Sequence, residues 1–452
     1  MPDNDLSFDR RTILAAGAAG ALLAQAPLSA ATPVRRFPAG FRWGASTAGH
    51  QIEGNNVNSD LWVMENLSPS PYKERSGDAC DSYHRWREDI ALLKAIGLNS
   101  YRMSIEWARI EPTPGQFSIA ELDHYKRIVA ELRAAGIDPV ITFIHSAAPR
   151  WFAQAGGWLN PDSPKLFARY CDKAARALGD GIAYACTINE PQVSLTFRAI
   201  PMADAYFKAQ DARQLAAHAA AARATGSERF VTTDYPDIEG MTPLLMAGHE
   251  QGFAAIKAAL PRVPTGVTLN LIDFAPANEG SKVDELRQLA YGRWMDVVRR
   301  TGDFVGVQTY SQMRIPGAGA RLPEPPPLPM PETSDPRDSG KQPVALRNTV
   351  EYAHRQTGKP VFVTENGFQT DNDARRAWYI PRVLAELHEA IASGVPVIGY
   401  MHWSLLDNFE WLQGYGPKYG LASVDHQTFK RTLKPSAAVY RGIVRQNAVA
   451  AA

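Results

Sequence analysis

Short apolar runs alternate with amphipathic stretches along most of the chain. The runs fall at residues 41–45, 100–105, 139–144, 183–188, 266–271, 304–308, 360–364 and 397–403, and each reads as a buried strand. Between them, stretches such as 86–96, 119–135 and 166–178 carry apolar residues at helical spacing. Strands that alternate with helices predict βα units and a parallel sheet. Eight of them predict an α/β fold, a single (β/α)8 TIM barrel. Two segments stand outside the alternation. Residues 323–336 are proline-rich, hold no regular helix or central strand, and read as an extended rim loop after the sixth strand. Residues 197–247 are long, Ala-rich and without clear strands, and no internal repeat of fixed period adds to the βα alternation.

The N-terminus follows a different pattern. Arg10 and Arg11 precede a mild run of Ala, Gly and Leu that reaches Ala26, and Ser29-Ala30-Ala31 offers small residues to a signal peptidase. This order resembles a bacterial twin-arginine (Tat) export signal. The run is too short and too rich in Gly and Ala for a membrane span. Residues 1–31 are therefore expected to be a signal peptide and residues 32–452 the barrel, with the mature protein periplasmic or extracellular. No later apolar run is long enough to cross a bilayer, so no membrane association is expected after signal removal.

Composition narrows the function. The 452 residues are 45% hydrophobic, ample for a large core, and the formal net charge is +1. That balance gives no electrostatic footprint for nucleic acid. Cys80, Cys171 and Cys186 lack metal-ligand spacing and read as buried free thiols, with a disulfide left open. No His/Asp cluster sits at the strand ends, so neither a metal nor another cofactor is expected. Oligomeric state is not encoded in any pattern found.

The chemistry is carried by two glutamates. Glu190 closes Ala185-Cys186-Thr187-Ile188-Asn189-Glu190-Pro191, and Glu365 closes Val361-Phe362-Val363-Thr364-Glu365-Asn366-Gly367. In both, a buried-strand run delivers a carboxylate just before a turn former, which puts both acids at the C-terminal tips of strands, where α/β barrels keep their chemistry. Two carboxyl groups so held can cleave a glycosidic bond, one protonating the leaving group and the other attacking or activating water. A small-molecule glycoside is the expected partner.

With these motifs the chain resembles the glycoside hydrolase family 1 β-glycosidases from about Phe37 to Arg445. The resemblance rests on Phe41-Arg42-Trp43-Gly44-Ala45-Ser46 with Gln51-Ile52-Glu53-Gly54, on Arg102-Met103-Ser104-Ile105-Glu106-Trp107, and on both glutamate motifs. Trp403-Ser404-Leu405-Leu406-Asp407-Asn408-Phe409-Glu410-Trp411 completes it. It implies a retaining exo-β-glycosidase acting on β-glucosides, with β-galactosides and β-fucosides as further candidates. By resemblance Glu190 is the acid/base and Glu365 the nucleophile, held ionised by Arg102 and hydrogen-bonded by Tyr310. Gln51, His145, Asn189, Glu410 and Trp411 are implied to bind sugar hydroxyls, Trp403 to stack beneath the ring, and Tyr419 to wall the pocket. His84 is assigned to the structural helix it begins. A carboxylate at Glu410 argues for an unphosphorylated sugar.

Three positions depart from the family pattern. Ser146 follows His145 where an aromatic residue is usual, Gln308 stands where asparagine is common, and residues 192–236 lack the usual signature after the acid. The innermost subsite thus looks standard and the leaving-group side remodelled, which suggests aryl or plant-type natural-product glycosides over cello-oligosaccharides. A transglycosylase using the same two acids, and a catalytically dead sugar-binding barrel, are the competing readings.

Overall fold

The structure, a computed structural model, describes residues 34–202, 204–317 and 342–450. The export signal expected at 1–31 and the proline-rich loop expected at 323–336 lie outside the described residues.

Eight parallel strands close into a barrel, each pairing with its neighbours in sequence. They are β1 (Arg42–Ser46), β2 (Ser100–Ser104), β3 (Asp138–Ile144) and β4 (Tyr184–Asn189). The second half is β5 (Thr265–Asn270), β6 (Phe304–Gln308), β7 (Val361–Asn366) and β8 (Val397–Trp403). Every apolar run of the sequence became one of these strands, with ends moved by at most two residues. The reason is burial on both faces: helices cover the outside, so a parallel strand needs no polar alternation.

A major helix follows each strand: α1 (Ser82–Ile96), α2 (Ile119–Ala134), α3 (Ser163–Leu178), α4 (Ile238–Ala259), α5 (Arg293–Arg300), α6 (Val344–Thr357), α7 (Asp373–Ala392) and α8 (Pro435–Gln446). In α3 the buried residues Phe167, Tyr170, Cys171, Ala174, Ala175 and Leu178 repeat at three and four residues, the stripe that faces a core. Local chemistry fixes the ends. Ser118 accepts the Glu121 N–H at the start of α2, and Gly97 closes α1 in the left-handed region.

Inside the barrel Val140, Cys186, Phe304, Phe362 and Met401 form their own buried cluster. Outside the barrel the first and last described segments meet, Val34–Arg36 pairing antiparallel with Ala448–Ala450. All three cysteines are buried free thiols. The Ala-rich segment after the acid resolves into helices Val193–Ala199 and Asp204–Thr225 and the beginning of α4.

Candidate active site

The barrel register sets the two glutamates among a few polar side chains. Glu365 pairs with Gln308 between β7 and β6, Gln308 with Asn270 between β6 and β5, and Asn189 with Thr268 between β4 and β5. The ladder shifts register between Val363 and Glu365 and again between Cys186 and Asn189. Such irregularities re-aim side chains at functional rims. Three non-glycine residues of the rim also hold positive φ: Ser146 (65°), Glu190 (46°) and Trp411 (50°). Each adjoins or is a residue expected in the site, and strained backbone of this kind persists only where its surroundings over-determine it.

Glu365 is buried and fully engaged. Its Oε1 accepts from Arg102 Nη1 at 2.5 Å and from Gln308 Nε2 at 2.8 Å, while Oε2 accepts from Tyr310 Oη at 2.6 Å. Burial pushes its pKa up, and Arg102 and Tyr310 pull it back. Arg102 is completely buried, so the guanidinium and Glu365 form an ion pair shielded from solvent. Three donors on one carboxylate favour its charged form.

Glu190, also buried, is less fully compensated. Its pKa is raised from 4.5 to about 8, first by burial and then by the charge of Glu365. A hydrogen bond from Asn270 Nδ2 to Oε1 at 2.8 Å and the more distant Arg102 pull the other way. Glu190 therefore carries a proton at neutral pH. Because Asn270 occupies Oε1 as a donor, that proton belongs on Oε2. Two carboxyl groups in such unequal environments are suited to different roles.

The expected sugar-binding residues gather around this pair. Asn189 Oδ1 accepts from Arg102 Nη2 (2.6 Å), Gln308 Nε2 (2.8 Å) and Thr268 Oγ1 (3.0 Å), which turns its Nδ2 toward His145 Nε2 at 3.0 Å. Burial and the charge of Arg102 drive the His145 pKa well down, so its ring is neutral. The His145 ring lies 5.7 Å from Trp403 and 5.9 Å from Trp411, near parallel to both. Trp403 Nε1 donates to Glu410 Oε1 at 3.3 Å. Gln51 is pinned by bonds from Nε2 to Asn408 Oδ1 and to the Phe409 carbonyl, leaving its Oε1 buried with no protein partner. The Tyr419 ring meets Tyr310 edge-on at 5.9 Å. Gly367, at the end of the Glu365 motif, lets the backbone pass close to β8, since a Cβ there would lie 2.0 Å from the Trp403 carbonyl oxygen. His84 lies in α1, exposed and bonded to Asp81, on the structural side as expected.

The pKa of Glu410 is raised from 4.5 to about 8, chiefly by burial. Among the described residues, no group of three or more His, Cys, Asp and Glu side chains is arranged to hold a metal ion.

The sequence profile described as Glycosyl hydrolase family 1 matches residues 34–234 and 289–449. The chain belongs to glycosyl hydrolase family 1. It is accordingly a glycoside hydrolase, similar to thermostable beta-glucosidase B of Thermobispora bispora, with 32% identity over 91% of each chain. Among solved structures it is similar to the apo structure of a beta-glucosidase 1317, at 39% identity and TM-score 0.83, over 90% of this chain and 98% of that one. It is similar also to a family 1 b-glucosidase from Thermotoga maritima, at 26% identity and TM-score 0.78, over 92% and 100%.

Sequence reasoning missed Asn270, Thr268 and His50. The last is a buried ring stacked 6.0 Å from Trp411. Asn270 carried the signal that exposed the glutamates, a polar residue closing an apolar strand, but as a neutral side chain it drew no attention. Thr268 and His50 look like ordinary strand and helix residues, and only the register reveals their neighbours.

Proposed function

We propose that this family 1 enzyme is an exo-acting β-glycosidase that hydrolyses β-D-glucosides with retention at the anomeric carbon. The observation that carries the reading is the asymmetry of the two acids: Glu365 bound by Arg102, Gln308 and Tyr310, Glu190 held protonated with Asn270 on one oxygen. In the first step a Glu365 oxygen attacks the anomeric carbon. The bond to the aglycone oxygen breaks, and the Glu190 proton passes to that oxygen. In the second, Glu190, now ionised, takes a proton from water as the water oxygen attacks the same carbon, and the Glu365 carboxylate leaves. We assign Asn189 to the 2-hydroxyl, a contact that strengthens in the transition state. The relatives named beta-glucosidases support glucose as the sugar. Proton NMR of p-nitrophenyl β-glucoside hydrolysis tests retention: β-glucose must appear first, and α-glucose first would refute it.

For the leaving group we propose an aryl or natural-product aglycone. Support comes from the remodelled segment after Glu190, whose first helix presents Phe197 at 53% exposure. Turnover of salicin above that of cellobiose is expected, and the reverse order contradicts it. Transfer to alcohols is the second reading, favoured by 28% identity over 91% of the chain to a protein named cyanidin 3-O-glucoside 7-O-glucosyltransferase (acyl-glucose) from Delphinium grandiflorum. Product analysis with an added alcohol decides the balance. Export by the twin-arginine route is proposed on Arg10 and Arg11. Lysine at both positions should leave the full-length precursor in the cytoplasm.

A further inference from the structure

Gln308 closes β6, with β5 between it and the strand that carries Asn189, and β7 on its other side carrying Glu365. Its side chain is completely buried. The two hydrogens of Nε2 are both used: one goes to Asn189 Oδ1 and one to Glu365 Oε1, each at 2.8 Å. Chemistry fixes this orientation of the amide, because the flipped form would set a carbonyl oxygen against a carboxylate and a second carbonyl oxygen. Its Oε1 is buried without a protein partner, so the amide is held in place by its donor side alone. Neighbouring strands lie about 4.8 Å apart, and Asn189 is two strands away, so a long side chain is required. Asparagine, about 1.5 Å shorter, cannot reach both acceptors from the same backbone position.

We propose that Gln308 is a positioning residue that couples recognition of the sugar 2-hydroxyl to the charge on the nucleophile. Toward Asn189 it supplies one of three donors that saturate Oδ1 and turn Nδ2 toward His145. Toward Glu365 it supplies a donor that is strongest when the carboxylate is free and weakest when it is esterified to the sugar. It therefore favours the departure of Glu365 in the second step, when the ester C–O bond breaks and its electron pair returns to the carboxylate. Arg102 makes the same pair of contacts through Nη1 and Nη2, but as a fixed charge. Gln308 adds the link without adding charge.

This inference rests on the retaining reading, and the experiment separates the two. Wild type, Gln308→Asn and Gln308→Leu are compared on 2,4-dinitrophenyl β-glucoside and its 2-deoxy analogue, with product stereochemistry read by NMR. The wild type should prefer the 2-hydroxy substrate strongly in kcat/KM. In both variants that preference should shrink by about tenfold, the scale of a lost hydrogen bond to a charged or transition-state-strengthened group. A pre-steady-state burst of dinitrophenol should also appear or grow, because the second step slows. A purely structural role would lower both substrates alike, leaving the preference and burst amplitude unchanged, and that result overturns the proposal. If Gln308→Leu fails to fold, Gln308→Asn, which keeps the amide, carries the test alone. Inverted product from the wild type would overturn the retaining reading, and with it the coupling.

Discussion

Replacing Glu365 with glutamine removes one negative charge from the site while keeping its shape, and the effect should be read at Glu190. The Glu190 pKa stands near 8 against an ordinary 4.5, with burial the largest cause and the charge of Glu365 the next. Retaining pairs sit about 5–5.5 Å apart. At an effective dielectric of about 20, two unit charges at that distance repel by about 3 kcal/mol. That is worth about 2 pKa units. Removing the charge removes a penalty on the ionised form, so the pKa must fall. It should settle near 6, on the order of 2 units lower, and stay above 4.5 because burial persists. Glutamate labelled with 13C at the side-chain carboxyl, with a Glu190→Gln spectrum for assignment, allows the titration to be followed by NMR. An unchanged value near 8 would mean that burial alone sets the proton on Glu190. The charge cycle proposed for the two steps would then lose its basis.

Three further outcomes follow from the same geometry. Asn270→Ala removes a donor that favours ionised Glu190, so the alkaline limb of kcat/KM, expected near pH 8, should move up by about 0.5–1 unit; a limb that stays or moves down contradicts the assignment. Arg102→Met leaves Glu365 buried without its cation and should cost about 3–5 kcal/mol in denaturant unfolding near pH 8. Protonation of Glu365 relieves that cost, so the penalty should shrink at pH 5, and an equal penalty at both pH values would argue against the ion pair as its source. Gly248→Ala places a Cβ 2.6 Å from Trp158 Cζ3 where α4 covers the barrel, and should lower stability by about 1–3 kcal/mol with the chemistry intact.

What the sequence made legible was whatever local chemistry encodes. Strands such as β6 and β8 are continuous apolar runs because both faces are buried, and the glutamates announce themselves as charges where such runs end. The helix Asp204–Thr225 was not legible as an element. It is Ala-rich and buries only His218, Ala221 and Ala222, so it forms on propensity and carries no apolar stripe to read. Relations across the barrel were the other gap. Arg102 and Glu365 are 263 residues apart, and their contact followed only from resemblance. Asn270 on Glu190, and Gln308 between Asn189 and Glu365, depend on register shifts at β4 and β7 that no local pattern displays. The raised pKa of Glu410 was equally hidden, because burial rather than residue type causes it.

The central claim is that Glu365 forms a covalent bond to the sugar, and the most direct test is Glu365→Gly with and without azide. The variant should lose turnover of 2,4-dinitrophenyl β-glucoside and recover it with azide, giving α-glucosyl azide as azide attacks from the face that Glu365 has left open. Wild-type-like turnover without azide, or a β-glucosyl azide product, would contradict the assignment of Glu365 as nucleophile.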